Sequence, residues 1–142
     1  MKTSQIGIDL IKFFEGEKLE AYKCPAGLWT IGVGSTFYED RRSVMRGDKI
    51  TKERSNELLK NTLIPFEKIV NSSAKIPLKQ NEFDALVSHA FNCGKSENLY
   101  KLVNSKDPNL KEWWESHYIT GGGKVLNGLI NRRKAETKIY FL

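Results

Sequence analysis

Residues 18–36, KLEAYKCPAGLWTIGVGST, constrain the fold more than any other stretch, because here the chain stops repeating like a helix. Tyr22, Trp29, Thr30, Ile31 and Val33 favour strand, while Pro25, Gly27, Gly32 and Gly34 cut them into short pieces. The spacing predicts a small hairpin sheet. On its N-terminal side, Ile6, Leu10, Ile11, Phe13 and Phe14 have the spacing of an amphipathic helix, with Thr3 or Ser4 able to cap the start and Gly16 a natural stop. On its C-terminal side, FYEDRRSVMRGDKI carries few helix signals and reads as more sheet or irregular surface. Helical pattern returns at Thr51, a residue suited to capping.

From Thr51, the apolar positions Leu58, Leu59, Leu63, Phe66, Ile69 and Val70 mark one side of a long helix, interrupted by Pro65. An interior proline removes a backbone hydrogen bond and clashes one turn back, so a kink, or two helices meeting, is expected there. LKQNEFDALVSHAFNCG predicts a further helix with Leu78, Phe83, Leu86, Val87, Ala90 and Phe91 on its buried side and Gly94 as its stop. His89 falls outside that apolar set and is assigned no role. ENLYKLVNS and PNLKEWWESHY read as shorter helices, TGGGK as a glycine turn, and LINRRKAETKIYF as a final helix. The fold class is therefore α+β and mostly helical, with the strands confined to an early lobe.

A chain of 142 residues fits one domain, and a hydrophobic fraction of 39% with three tryptophans supports a core without metal or disulfide staples. No apolar run approaches the roughly 20 residues that cross a membrane. The N-terminus lacks the uninterrupted apolar segment of a signal peptide and reads as the first helix. Cys24 and Cys93 are the only cysteines, too few for a metal knuckle; reduced packed thiols and a disulfide between them are both open. The net charge of +6 leans towards the C-terminus, where KVLNGLINRRKAETK concentrates it. Such an excess favours polyanions, meaning nucleic acid, anionic membrane or the bacterial envelope, although most basic faces are simply solvated.

Glu15 is the residue that resists a structural explanation. It sits in the last turn of the first helix, where unpaired carbonyls give partial negative charge and disfavour an ionised carboxylate by a few tenths to about 1 kcal/mol. A turn after Gly16 can bring the hairpin back across that helix end. A carboxylate, the Cys24 thiol and the Thr30 hydroxyl could then converge on one cleft wall, although none neighbours another in sequence; an exposed helix-end Glu, a buried Cys and a strand-forming Thr are the other reading of the same residues. An acid that donates a proton near neutral pH needs its neutral form favoured, and a helix C-terminus with partial burial pushes that way.

FFEG, Cys24, Thr30 and IGVG, in that order, resemble the active-site segment of the phage-type lysozymes, glycoside hydrolases that are chiefly bacteriophage endolysins. IPLKQNEFDALVSHAFNCG is similar to that family's central core helix, and GGKVLNGLINRRKAE to its C-terminal signature, so the resemblance covers essentially the whole chain in order. It implies a single lysozyme domain over 1–142, with a β-containing lobe near 16–50, a helical lobe from 1–15 and 71–142, a connecting helix at 51–70 and the active-site cleft between the lobes. It implies hydrolysis of the β-1,4 bond between N-acetylmuramic acid and N-acetylglucosamine in peptidoglycan, with inversion of configuration, no cofactor and no metal. The implied partners are glycan strands and a holin-type membrane protein, without nucleic acid or stable membrane insertion. The implied protein is a monomer, held in the host cytoplasm until the membrane is permeabilised and then acting at the wall. The rival readings are a non-catalytic peptidoglycan-binding protein and a lytic transglycosylase acting on the same bond.

By the same resemblance Glu15 is the general acid, Arg132 lies beside it, and Asn92 lines the sugar cleft. Tyr118 stands near the place of a family tryptophan, suited to sugar stacking or to core packing. Position 24 is Asp in many members and Cys in others. A thiol there could hold a water or, as thiolate, act as base or nucleophile, with Thr30 holding water or orienting Cys24. Many members also have GHT where this chain has GST, so Ser35 replaces a histidine, at an expected cost in stability rather than chemistry.

Overall fold

The computed structural model describes all 142 residues. The elements run α1 (Gln5–Glu15), β1 (Lys18–Lys23), β2 (Trp29–Gly32), α2 (Lys52–Ser73), α3 (Gln80–Cys93), α4 (Glu97–Ser105), α5 (Leu110–Ser116), β3 (Thr120–Gly121), β4 (Lys124–Val125) and α6 (Asn127–Tyr140). Packing divides the chain into two compact units, one of Ile11–Ile64 and one of Met1–Leu10 with Pro65–Leu142.

The smaller unit is built on the expected hairpin. β1 and β2 pair antiparallel, with Tyr22 opposite Thr30, Lys23 opposite Trp29, and an irregularity between Lys18 and Tyr22. The tip is a tight turn in which the Gly27 N–H donates to the Cys24 carbonyl at 2.8 Å and the Cys24 N–H to the Leu28 carbonyl at 2.9 Å. Pro25 presets the first corner of that turn. The segment after β2 is irregular and held by isolated bridges, Ile31 with Ser35, Phe37 with Ser43 and Glu20 with Lys49. Asp48 organises it by accepting from the Tyr38 hydroxyl at 2.7 Å and the Met45 N–H at 3.0 Å. Ile31, Val44 and Leu58 form the buried centre of this unit, flanked by Ala21, Trp29, Tyr38 and Ile50. Thr51 caps α2 as expected, its hydroxyl accepting from the Arg54 N–H at 3.1 Å.

α2 has 22 residues, about 33 Å of helix. It continues through Pro65 as one element, which removes the alternative of two helices meeting; the division between the units falls at this proline.

In the larger unit α3 is buried without a break from Phe83 to Ala90, so it is a central helix and not one with a single apolar side. α6 packs along α3 and α5. Trp114 fills the centre, its ring tilted against Tyr140 at 5.2 Å and meeting His89 edge-on at 5.7 Å. Burying such a ring removes enough apolar surface to be worth several kcal/mol. The start of α1 departs from the expected side-chain cap. The Thr3 hydroxyl donates to Glu67 at 2.8 Å and the Ser4 hydroxyl to Asp84, while their N–H groups donate to the same carboxylates at 2.7 and 2.9 Å. Two carboxylates at a positive helix end do the work of a cap. Gly7 permits this approach, since a Cβ there would lie 2.6 Å from Thr3 and 2.9 Å from Asp84.

A second antiparallel pair, β3 with β4, lies in this larger unit. Strand is therefore not confined to the early lobe. TGGGK is the tip of that hairpin: Gly122 and Gly123 both adopt positive φ, the two-residue turn whose twist matches paired strands.

Candidate active site

Glu15, Cys24 and Thr30 belong to the smaller unit. Glu15 is the last residue of α1, and Gly16 follows at φ 80°, a conformation that stops the helix and turns the chain into β1. The expected partial burial of Glu15 is absent, for its side chain is exposed. The next carboxylate, Glu17, is treated differently. It accepts from the Ser55 hydroxyl at 2.6 Å and pairs with the Lys12 ammonium at 2.9 Å, while Lys12 also reaches Asn56. Burial pushes the Glu17 carboxyl up, but Ser55 and Lys12 outweigh it and hold it below the usual carboxylate range. These contacts tie both sides of the Gly16 turn to α2, which fixes where Glu15 emerges.

Cys24 and Thr30 are brought together at the hairpin mouth. The Leu28 backbone N–H and then the Thr30 hydroxyl favour the Cys24 thiolate, against a smaller opposing effect of burial, so the thiol is held below its ordinary value. Thr30 is buried on β2, and its hydroxyl donates to the Leu28 carbonyl at 3.0 Å. Neither cysteine is in a disulfide.

Arg132, Asn92 and Tyr118 belong to the larger unit. Arg132 is buried on α6, its Nη2 donating to the Ser88 carbonyl at 3.2 Å and its Nε 3.5 Å from Glu136. Asn92 and Tyr118 are exposed, and Tyr118 adopts φ 59°. The Tyr118 ring meets His89 edge-on at 5.2 Å, so it packs on one side while leaving 43% of the residue in solvent.

Three neighbours of these residues were not anticipated. Arg133 and Glu136 lie in the basic KVLNGLINRRKAETK segment yet are fully buried rather than solvated. Glu136 lies 2.9 Å from Arg133 Nε and accepts from the Ser88 hydroxyl at 2.6 Å and the Trp114 indole N–H at 3.1 Å. Burial pushes the Glu136 carboxyl up, opposed by the Arg133 charge, by the Ser88 and Trp114 donors and by the Arg132 charge. His89 is buried too. Burial first, then the charges of Arg133 and Arg132, lower its pKa to about 3, so it is a neutral core residue. An i, i+3 Arg–Glu spacing on a helix with few apolar residues was the available signal for Arg133 and Glu136. No grouping of His, Cys, Asp and Glu is suited to holding a metal ion.

The phage lysozyme family profile matches residues 12–136. An endolysin of Acyrthosiphon pisum secondary endosymbiont phage 1 is 35% identical over 99% of this chain and 98% of its own length. Among solved structures, an L86M mutant of P22 lysozyme superposes with a TM-score of 0.89 at 35% identity, covering 100% of this chain and 99% of that one. An endolysin from Escherichia coli O157:H7 phage FAHEc1 gives 0.87 at 39% identity, covering 99% and 93%. These matches favour an active enzyme over the non-catalytic and transglycosylase rivals. The chain belongs to the phage lysozyme family and, with it, to the muramidase-type glycoside hydrolases that serve as endolysins.

Proposed function

We propose that this endolysin hydrolyses the β-1,4 bond between N-acetylmuramic acid and N-acetylglucosamine, with Glu15 as general acid. The observation that carries the assignment is the place of Glu15 as the last residue of α1, directly before the Gly16 turn into β1. Its side chain is exposed there, and the contacts of Glu17 with Lys12 and Ser55 fix the turn from which it emerges. In the proposed reaction Glu15 gives its proton to the glycosidic oxygen as the bond to the anomeric carbon breaks. A water oxygen bonds that carbon and loses a proton to solvent, and Glu15 is reprotonated. Cys24 and Thr30 hold and orient that water, a role supported by the polarised thiol beside the Thr30 hydroxyl. Arg132 takes the supporting role that the family resemblance gives it, and Asn92 and Tyr118 contact the sugars.

The proposal includes release to the wall by a holin-type membrane protein after accumulation in the host cytoplasm. No helix of the protein is long and apolar enough to cross a membrane. Attraction to the anionic envelope then rests on exposed lysines such as Lys124, Lys134 and Lys138, because Arg132 and Arg133 are buried. Salt should weaken it.

The test is digestion of purified peptidoglycan by the wild type and by Glu15→Gln, counting reducing ends and examining products by mass spectrometry. New muramic-acid reducing ends that fall at least about a hundredfold in the variant are expected. Anhydro-sugars would move the reaction to transglycosylation, and a folded wild type that releases nothing would end the enzyme reading.

A further inference from the structure

We propose that Arg133 is a positioning residue for glycan recognition: it fixes Asn92 so that the amide NH2 faces outward to grip an acceptor oxygen, the acetamido carbonyl of the sugar being the matching group. The inference rests on the muramidase reading above and assigns a specificity role to a side chain buried beneath the surface. A guanidinium has five donors and no acceptor, so whatever it holds must present an oxygen or sulfur. Arg133 Nη2 lies 2.7 Å from Asn92 Oδ1, and the Cys93 thiol donates to the same oxygen at 3.5 Å. With its carbonyl end claimed by two protein donors, the exposed Asn92 amide can present only N–H groups to a ligand.

Arg133 is itself immobilised. Its Nε and Nη2 lie 2.9 and 3.3 Å from the two oxygens of Glu136, and Nη1 reaches Cys93 Sγ and, at 3.5 Å, the Tyr118 carbonyl. Tyr118 is a left-handed residue with a Cβ, a conformation that L side chains disfavour, and it leads into the β3–β4 hairpin. One buried guanidinium therefore grips the two surface residues that the family resemblance sets against the sugars. Balancing Glu136 would not require this. An exposed amide can be satisfied by water, so a charged donor directed at it matters only if the amide's orientation matters.

The experiment measures KM and kcat on peptidoglycan, with the melting temperature of each protein, for the wild type, Asn92→Asp, Asn92→Ala, Arg133→Lys and the Asn92→Ala/Arg133→Lys double variant. Asn92→Asp keeps a partner for Arg133 but turns a carboxylate oxygen outward, and Arg133→Lys keeps the charge but loses the fork. Each should raise KM about tenfold with kcat within about twofold, and the double variant should be no worse than Asn92→Ala alone. An Arg133→Lys protein that melts earlier yet keeps the wild-type KM would overturn the proposal, as would additive effects in the double variant. Should Arg133→Lys fail to fold, Asn92→Asp decides: an unchanged KM overturns the proposal, and a raised one supports it. A wild type that releases no reducing ends sinks the hydrolase reading itself, which is distinguishable from variants that leave KM unmoved.

Discussion

The two units hold their proposed site residues in opposite ways. In the smaller unit Glu15 and Cys24 sit at the ends of short elements, set by turns and by hydrogen bonds to near neighbours, and are at least partly open to solvent. In the larger unit Asn92 and Tyr118 are exposed, but beneath them Arg132, Arg133, Glu136, Ser88 and Trp114 form one buried network linking α3, α5 and α6. A site assembled from turns can exchange a side chain at little cost to folding. A site resting on buried charge cannot, because removing one partner leaves the other unpaired in a low-dielectric interior.

The largest effect should come from breaking that network. Glu136→Gln leaves Arg133 without its counter-charge and should cost about 3–5 kcal/mol, read as a fall in the urea midpoint. Glu17→Gln removes a carboxylate that, like its partner Lys12, is 17% exposed at the side chain, so it should cost much less. Equal losses from the two would erase the distinction between the units.

The same contrast explains what the sequence discloses. Glu15, Cys24 and Thr30 lie within one helix–hairpin unit, so helix periodicity, a stop glycine and a strand pattern suffice to put each on its element, while their grouping as a site comes from the family resemblance. α4 is legible from residue to residue, because Leu99 and Val103 repeat at helical spacing after Ser96, whose hydroxyl accepts from the Leu99 N–H at 3.3 Å. The buried face of α6 is Arg132, Arg133, Glu136, Thr137 and Tyr140, which no hydrophobic period reveals; it looks like surface until α3 and α5 supply the donors and acceptors that satisfy it. His89 misleads in the same way, polar by residue type and buried by virtue of Trp114 and Tyr118. The family resemblance finds Arg132, but Arg133 beside it needs the three-dimensional partners.

His89 offers a second, smaller contrast. Its pKa in the folded protein is about 3 against an ordinary 6.5, so its stabilising effect is complete above pH 6.5 and is lost progressively as pH falls towards 3. Lowering pH from 7 to 5 should cost about 2 kcal/mol through this group, because the unfolded chain takes up a proton that the folded protein refuses. His89→Leu should flatten stability over that window. An unaltered slope would place the acid sensitivity elsewhere in the network.

Within the smaller unit, Ser55→Ala should cost about 1.5 kcal/mol, since a buried hydroxyl is lost from a charged acceptor. Glu17 is held below its ordinary value of 4.5, so its stabilisation is present above that pH and is lost as pH falls through the folded value. The penalty of Ser55→Ala should therefore shrink in acid. A penalty that holds constant to low pH would mean that Ser55 acts through packing alone.

The finest comparison uses one chemical group in both units. Cys24 is held below the ordinary thiol value by the Leu28 N–H and the Thr30 hydroxyl, whereas burial pushes Cys93 above it despite the nearby Arg133. Only a thiolate reacts with iodoacetamide, so near neutral pH Cys24 should be alkylated first and Cys93 last. Thr30→Val should move the alkylation midpoint of Cys24 upwards, but not to that of a free thiol, because the larger contribution from Leu28 remains. The midpoint of Cys93 should stay where it is. If Thr30→Val leaves Cys24 unmoved, the hydroxyl serves only the Leu28 carbonyl to which it donates at 3.0 Å, and Thr30 loses its place beside the thiol in the proposed reaction.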